Sequence, residues 1–373
     1  MNYDRVCSYL DLEILRNNFR AIKNIVGENV KIFTSVKANA YGHGDVACGK
    51  CLEGEGVDML CVASLTEATR LRKAGIQTGI LLLAPLNPLH KEAIEEAISF
   101  NISVTVCDEL LASEINTIAE KMKKNALVHI KIDTGMNRIG IEPQNFPDFI
   151  KKISIFNNII CEGIYSHLST ADDFNEKEFT EKQITDFQDI RDFAKSINRD
   201  CICHLANSAG TIHYPNARFD AIRTGILLYG YSFDENILKD LGIKPAMKLK
   251  SRIIFLKDIK KRTSVGYNRT FIADKDMKIA TVSIGYGDGY PRSLSNKGAM
   301  IVNGLPAPVV GRICMDQCMI DVSGISDVNL WQEVSVYDND YFETSIDNLA
   351  KLCGTISYEL LTSISQRVER IVK

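Results

Sequence analysis

The chain has 373 residues, of which 45% are hydrophobic and 24% are charged, a composition that fits a globular protein of two domains. With a formal net charge of −3, no basic surplus points to nucleic acid or to an anionic membrane, no run of about 18 apolar residues predicts a membrane span, and residues 1–9 lack the apolar core of a secretory signal. The 11 cysteines form no paired CxxC array, so we expect reduced thiols, no metal site and a cytoplasmic location.

Short apolar runs alternate with helical patterns over the first 230 residues. A helix is predicted over 12–25, Ser64 and Glu67 have the spacing of a capping box, and Asn87-Pro88 is typical of another helix start. The predicted strands are 31–36, 59–63, 79–83, 102–106, 126–132, 160–165, 201–205 and 219–223. Eight strands alternating with helices favour a (β/α)8 TIM-type barrel, with an open doubly wound sheet as the structural alternative.

The pattern changes after about residue 240. Strand-like runs separated by glycine and proline predict a smaller, mainly β domain, with one helical segment at 345–352. The predicted strands are 247–256, 277–284, 299–302, 307–313, 317–322 and 333–337. We therefore divide the chain into an N-terminal α/β domain, 1–240, and a C-terminal β domain, 241–373.

Lys37 stands where the first predicted barrel strand becomes a loop that contains Gly42 and Gly44. Packing would hold the stem of this lysine and desolvate its amine. Desolvation lowers the pKa of an amine and frees the nucleophile for a Schiff base. The competing interpretation is a strand-end lysine whose amine reaches solvent.

Polar side chains also follow several later strands. Individually they fit turns, solvated salt bridges or a satisfied core histidine, although small residues after a strand can present amides and a hydroxyl to phosphate. They are Lys131 at the end of 126–132 and Arg138 after it, His167 after 160–165, Asn207 and Ser208 after 201–205, and Arg223 at the end of 219–223.

The stretch VKANAYGHG, residues 36–44, resembles the lysine motif that binds pyridoxal 5'-phosphate (PLP) in the bacterial alanine racemases. Residues 128–140, 163–167, 203–210 and 223–230 resemble further stretches of that family. The resemblance implies that Lys37 holds PLP as a Schiff base. The other cofactor-binding residues that it implies are Tyr41, Arg138, His167, Asn207, Ser208, Arg223, Gly225, Ile226 and Tyr358.

The same resemblance implies individual roles. Arg138 contacts the phenolic oxygen of PLP and the substrate, and Lys131 is a candidate for carbamylation, which would pair it with Arg138. His167 packs against the pyridine ring, and Arg223 faces the ring nitrogen. A permanent cation there disfavours protonation of that nitrogen, which weakens the electron sink and suits simple removal and return of a proton.

In the β domain, residues 264–269, 283–292, 310–317 and 355–359 resemble family stretches that line the substrate site. They imply that Tyr267 is the second catalytic base and that the Met315 amide contacts the substrate carboxylate. Tyr286 and Tyr358 would line the entrance. Family members are head-to-tail homodimers, so Tyr267 and Met315 would come from the partner chain.

We therefore predict an enzyme that racemises L-alanine and D-alanine with two bases, Lys37 and Tyr267, on opposite faces of Cα, and that supplies D-alanine for peptidoglycan. A serine or broader-specificity racemase on the same scaffold is the nearest alternative, which the tyrosine at position 358 disfavours. A non-catalytic PLP-binding protein is the alternative from another class, and the β domain with Tyr267 argues against it.

Overall fold

The computed structural model describes residues 5–197, 201–232 and 234–373. Contacts group the described chain into two units. The barrel unit comprises residues 15–40 and 45–244, and the β unit comprises residues 5–14, 41–44 and 245–373. The boundary near 244 lies close to the expected one, but residues 5–14 and 41–44, which we had assigned to the first domain, group with the β unit.

The first strand of the described chain, β1 (Val6–Leu10), belongs to the β unit, and the next eight strands form a closed parallel barrel. The barrel strands are β2 (Lys31–Ser35), β3 (Met59–Val62), β4 (Gly79–Leu82), β5 (Ser103–Val106), β6 (Ala126–Lys131), β7 (Ile159–Tyr165), β8 (Ile202–His204) and β9 (Ala221–Thr224). Pairing of β9 with β2 closes the ring. The predicted barrel is therefore confirmed, and the open sheet is excluded.

Helices cover most connections of the barrel unit, as the alternating pattern predicts. Their bounds are Leu12–Val26, Asp45–Gly54, Leu65–Lys73, Lys91–Ser99, Glu109–Met122, Phe146–Ile153, Lys177–Ser196, Ser208–His213 and Glu235–Asp240. The capping box of Ser64 and Glu67 is present. The helix expected at Asn87-Pro88 begins instead at Lys91, because the Asn87 side chain accepts the Leu89 amide and forms a turn.

The β unit is built around a long strand, β10 (Met247–Ile259). The remaining strands are β11 (Ser264–Val265), β12 (Phe271–Ile272), β13 (Met277–Val282), β14 (Ala299–Val302), β15 (Leu305–Pro308), β16 (Cys318–Asp321), β17 (Glu333–Tyr337) and β18 (Glu369–Val372). Two helices, Ile346–Cys353 and Ser357–Thr362, precede β18. The strand predicted at 307–313 is therefore shorter and lies earlier than expected.

Four strands of the β unit were not predicted: the two short strands β11 and β12, and β1 and β18. Strand β1 pairs antiparallel with β10 and parallel with β18, so an early segment of the chain lies between two late ones.

Within the described residues, no helix combines the length and apolarity that crossing a bilayer would require.

Candidate active site

The carboxyl ends of the barrel strands carry the functional groups that the sequence analysis singled out. Lys37 follows β2, Lys131 is the last residue of β6, His167 follows β7, and Arg223 lies in β9. Because parallel strands in a closed barrel end at the same rim, these side chains belong to one end of the barrel unit. This is the end at which barrel enzymes place their catalytic groups.

The backbone after Lys37 takes a left-handed conformation. The φ angles of Ala38, Asn39, Ala40 and Tyr41 lie between 51° and 55°. A single non-glycine residue in this region costs about 1–2 kcal/mol, because its Cβ crowds the following carbonyl. Four in succession form a strained turn beside the reactive lysine, a type of strain that clusters at functional sites.

Glu67 holds the start of this turn. One carboxylate oxygen, Oε1, accepts the Ala38 amide at 2.7 Å, while Oε2 accepts the Ala63 and Ser64 amides at 2.8 and 3.2 Å. Its own amide donates to the Ser64 hydroxyl, which completes the capping box. The sequence revealed the capping box, but the contact with Ala38 was missed because it joins neighbouring barrel strands rather than neighbours in sequence.

Arg223 is a buried cation held by neutral acceptors. Its Nη1 donates to Nδ1 and to the carbonyl oxygen of His204, each at 2.8 Å. Its Nη2 donates to the carbonyls of Ser166 and Leu205 and to Nδ1 of His167, the last at 3.2 Å. Among the residues that the structure describes, no carboxylate lies within 4 Å of this guanidinium, so the positive charge is not neutralised locally.

This uncompensated charge and burial shift the neighbouring titrations. Burial and the positive charge of Arg138 lower the pKa of Lys37. Burial and Arg223 lower the pKa of Lys131 to about 7, and the pKa of His167 falls well below its usual value for the same two reasons. The site therefore disfavours the charged forms of Lys37, Lys131 and His167.

Lys131 and Arg138 do not form a direct pair. The buried Lys131 Nζ donates to the carbonyl of Ile132 at 2.5 Å and lies 5.5 Å from the centre of the Tyr165 ring. Arg138 is exposed on the loop after β6, although its charge acts on both Lys37 and Lys131. Lys131 and Arg138 carry charges of the same sign and repel each other. A negatively charged group on Lys131 would be needed to attract Arg138.

The loops after β8 and β9 converge on one hydroxyl. Ser208 Oγ accepts the amide of Gly225 at 2.9 Å and that of Leu227 at 3.4 Å. The Asn207 side chain caps the short helix that begins at Ser208, by accepting the Gly210 amide at 2.9 Å. A hydroxyl, loop amides and a helix start in one place suit an anion, so these residues fit the phosphate of PLP.

The remaining predicted residues lie in the β unit. Tyr267 is 68% exposed on a tight turn between β11 and β12, and Met315 is 54% exposed. The Tyr286 loop is tied to the Met315 loop, because the amides of Tyr286 and Gly287 donate to the carbonyls of Cys314 and Met315. Within this unit the structure therefore brings Tyr286 and Met315 together.

A buried carboxylate that the sequence analysis overlooked holds these two loops. Asp288 is 1% exposed and accepts from Arg5 at 2.7 Å and from Arg367 at 2.8 Å, and its other oxygen accepts the Gly285 amide. Arg367 also pairs with Asp316, next to Met315. Arg5, Asp288 and Arg367 come from three distant parts of the chain, so no local sequence pattern could have predicted that they pair.

Tyr41 and Tyr358 also meet within the β unit, with ring centres 5.8 Å apart. Between them in sequence, Gly42 has a φ of +83°, and an added Cβ would lie 2.2 Å from the carbonyl oxygen of Leu361. Only glycine fits at this point, which explains the glycine that follows the left-handed turn.

Comparisons with known proteins give matches over nearly the whole chain. Residues 10–233 match the family model for the alanine racemase N-terminal domain, and residues 246–372 match that for the alanine racemase C-terminal domain. The alanine racemase of Methanococcus maripaludis is 41% identical over 367 residues, which cover 97% of this chain and 97% of that protein.

Solved structures agree with these matches. The alanine racemase of Clostridium difficile 630 has a TM-score of 0.93 and 36% identity, and the match covers 100% of this chain and 97% of that one. The alanine racemase of Bartonella henselae, solved with covalently bound pyridoxal phosphate, has a TM-score of 0.87 and 27% identity, with 99% and 100% of the two chains covered.

The role of Glu67 in holding the turn can be tested with Glu67→Gln. A carboxamide has one acceptor oxygen, so it can serve Ala38 or the Ala63–Ser64 pair, but its NH2 must then face the other amides. We expect the free energy of unfolding to fall by about 2 kcal/mol, because amides that now donate to a charged carboxylate lose that acceptor. Urea denaturation measures the loss, and hydrogen exchange of the Ala38 amide should accelerate.

Ser64→Ala is the matched control, because it removes the other half of the same capping box. Loss of one N-cap oxygen typically costs about 1 kcal/mol. If Glu67→Gln cost no more than Ser64→Ala and left the exchange of the Ala38 amide unchanged, Glu67 would be a helix cap and nothing more.

Proposed function

This chain belongs to the alanine racemase family, and from that premise we propose that it interconverts L-alanine and D-alanine with PLP bound to Lys37 Nζ. The observation that carries the proposal is the position of Lys37, a largely buried amine of lowered pKa at the carboxyl end of β2. PLP is the cofactor, and when bound it supplies the electron sink for the electron pair left at Cα on proton removal.

Two bases on opposite faces of Cα are proposed to move the proton. Lys37 Nζ removes it from D-alanine, and the phenolic oxygen of Tyr267, supplied by the partner chain, removes it from L-alanine. Inversion follows because one base takes a proton from one face while the other returns a proton to the opposite face. The lowered pKa supports the role of Lys37, since it favours the unprotonated form of the amine, which can accept a proton.

Arg223 is proposed to face the pyridine nitrogen and to keep it unprotonated. Its five neutral acceptors support this role, because a guanidinium without a carboxylate partner presents its full charge to the site. His167 accepts from Arg223 through Nδ1, so its proton resides on Nε2 and its ring stays neutral. The cation of Arg223 and the neutral imidazole of His167 suit an enzyme that only removes and returns a proton at Cα.

The other contacts are proposed from the same geometry and resemblance. Ser208 and the amides of Gly225 and Ile226 would bind the phosphate, helped by Asn207, which caps the helix at Ser208. The remaining roles are Arg138 at the phenolic oxygen and substrate, Met315 at the substrate carboxylate, Tyr41 and Tyr358 at the cofactor, and Tyr286 with Tyr358 at the entrance.

A head-to-tail homodimer is proposed as the active assembly. Phe255 and Tyr267 are both more than half exposed and line one cavity of about 530 Å³ in the β unit, with apolar neighbours such as Val265 and Met319. A partly apolar exposed surface around a proposed catalytic tyrosine supports a partner there.

Supply of D-alanine to peptidoglycan in the cytoplasm is proposed as the physiological setting, and the comparisons favour alanine over the serine-directed alternative.

Borohydride reduction of the enzyme with bound PLP tests the central residue. The label should map to Lys37 and not to Lys131, the other buried lysine with a lowered pKa. Lys37→Ala should lose the visible absorption of bound cofactor, and racemisation should fall by at least about a thousandfold, measured as loss of optical activity from L-alanine. A label on another lysine, or racemisation by Lys37→Ala, would overturn the proposal.

Carbamylation of Lys131 is proposed because its pKa of about 7 leaves a neutral amine available at physiological pH. The amine adds to CO2 to give a carbamate and releases one proton. A ¹³C carbamate signal should therefore appear with ¹³C-bicarbonate at pH 8 and fade below pH 7, where Nζ binds a proton and loses its free electron pair. Lys131→Arg should lack the signal at pH 8, and its absence from the parent protein at pH 8 would contradict the proposal.

Mixing two inactive variants tests whether the site is shared. Lys37→Ala and Tyr267→Phe damage different halves of each site, so a heterodimer of the two has one intact site if Tyr267 comes from the partner. Random exchange makes about half the dimers mixed, so activity should recover to about a quarter of the parent level. Each variant alone is the control. If tagged subunits are shown to exchange and activity still does not recover, both bases belong to one chain.

A further inference from the structure

Two further histidines, His204 and His129, form a buried pair next to Arg223 in the barrel. His204 Nε2 lies 2.8 Å from Nδ1 of His129, and both imidazoles are fully buried. Tyr165 stacks on His204 with ring centres 5.0 Å apart and ring planes 6° apart, so the His204 ring cannot turn freely. Both histidines fall within stretches that resemble the family, residues 128–140 and 203–210, but the sequence analysis assigned a role to neither, and neither has a role in the proposed proton transfers.

The direction of each hydrogen bond in this row follows from Arg223. A guanidinium can only donate, so Nδ1 of His204 must be an acceptor without a proton. Burial and Arg223 lower the pKa of His204 well below its usual value and that of His129 to about 3, so both rings are neutral near pH 7. The proton of His204 therefore lies on Nε2 and is donated to Nδ1 of His129, which in turn carries its own proton on Nε2.

That last proton points towards a carboxylate. Within the described residues, His129 Nε2 is a buried donor with no hydrogen-bond acceptor, and Oε2 of Glu162 lies 3.8 Å away. The same Oε2 accepts the hydroxyl of the buried Ser103. A buried donor with no acceptor is costly, and a carboxylate can serve two donors at once.

The backbone is shaped to make this approach possible. The pairing of β6 with β7 advances from Val128–Cys161 to His129–Gly163, so Glu162 is the extra residue of a β-bulge. A bulge turns a side chain away from its regular direction, and bulges occur beside active sites. The next residue must be glycine, because an added Cβ at Gly163 would lie 2.4 Å from Nδ1 of His129.

We propose that His129 and Glu162 are positioning residues of this enzyme: Arg223 donates to His204, His204 donates to His129, and the Glu162 carboxylate faces His129 Nε2, so that the His204 imidazole is held as an acceptor for Arg223. The consequence for the reaction rests on the proposed function of Arg223 at the cofactor. If His204 carried its proton on Nδ1, two donors would face each other, and the guanidinium would have to leave its position. The two ends of the row agree, because a guanidinium can only donate and carboxylate oxygens accept.

Nitrogen NMR of the full chain, purified with its cofactor and labelled with ¹⁵N-histidine, tests the order of the protons directly. The chain has six histidines, and spectra of His129→Asn and of His43→Gln assist assignment. We expect His204 and His129 to be neutral with the proton on Nε2 from pH 5 to pH 9. A proton on Nδ1 of either ring, or a protonated ring at pH 6, would overturn the proposal whatever the activity of the enzyme.

Two variants of His129 separate positioning from packing. His129→Leu fills the space above Gly163 without an acceptor, whereas His129→Asn offers an oxygen near the position of Nδ1. We expect kcat to fall about tenfold in His129→Leu, the order expected when one buried hydrogen bond is lost, with KM for alanine nearly unchanged. His129→Asn should recover most of kcat and keep the His204 proton on Nε2.

Variants at the other end complete the test. Glu162→Gln keeps an acceptor oxygen for His129 and should retain most of kcat, while Glu162→Ala should lower it severalfold. Ser103→Ala removes the other donor to Glu162 and should leave the protons of both histidines in place. If circular dichroism shows both proteins folded, equal kcat values in His129→Leu and His129→Asn would show that His129 only fills space. Failure of PLP to label Lys37 would count against the proposed function alone.

Discussion

A buried guanidinium that has no carboxylate partner among the described residues dominates the electrostatics at the carboxyl end of the barrel. Arg223 donates to three carbonyl oxygens and two imidazole nitrogens, and none of these acceptors carries a charge. Burying an uncompensated charge is expensive unless every donor is satisfied. Burial, reinforced by the positive charge of Arg223, lowers the pKa values of His167, His204 and Lys131, so the charged forms of these groups are disfavoured around the permanent cation.

Local strain is a second constraint on the site. Residues 38–41 have positive φ angles directly after Lys37, and Glu67 fixes the first amide of that turn. The strain limits where the lysine stem can go, because the backbone on one side is a short buried strand and on the other side a turn with few alternatives. A rigid approach of this kind suits a side chain that must present one atom at a fixed place.

The barrel and the positions of its polar strand ends could be predicted from sequence, because each strand is a short apolar run and each functional residue follows one directly. Lys37, His167 and Arg223 were found in this way. The contacts that orient them could not be predicted, since Glu67 reaches Ala38 from the helix after β3 and His204 in β8 accepts from Arg223 in the neighbouring strand β9. Such contacts depend on register and on strand order, which periodicity does not contain.

The bulge at Glu162 and the strands β1 and β18 show the same limit. One extra residue in β7 changes which side chains face inwards, but its sequence contains only an ordinary glutamate followed by glycine. Strands β1 and β18 have five and four residues, and they are stable only through each other and β10. Segments whose partners lie far away in sequence give no local signal of their own.

The placement of β1 also sets an order of events during translation. Residues of β1 leave the ribosome early, but β10 and β18 follow only after the entire barrel sequence, and the wait for β18 is roughly 20–70 s at 5–20 residues per second. Until β10 is made, a nascent chain can close its barrel strands while β1 has neither neighbour, and afterwards β1 still lacks β18. The β unit can therefore be completed only after synthesis, and an exposed strand edge must be protected from aggregation until then.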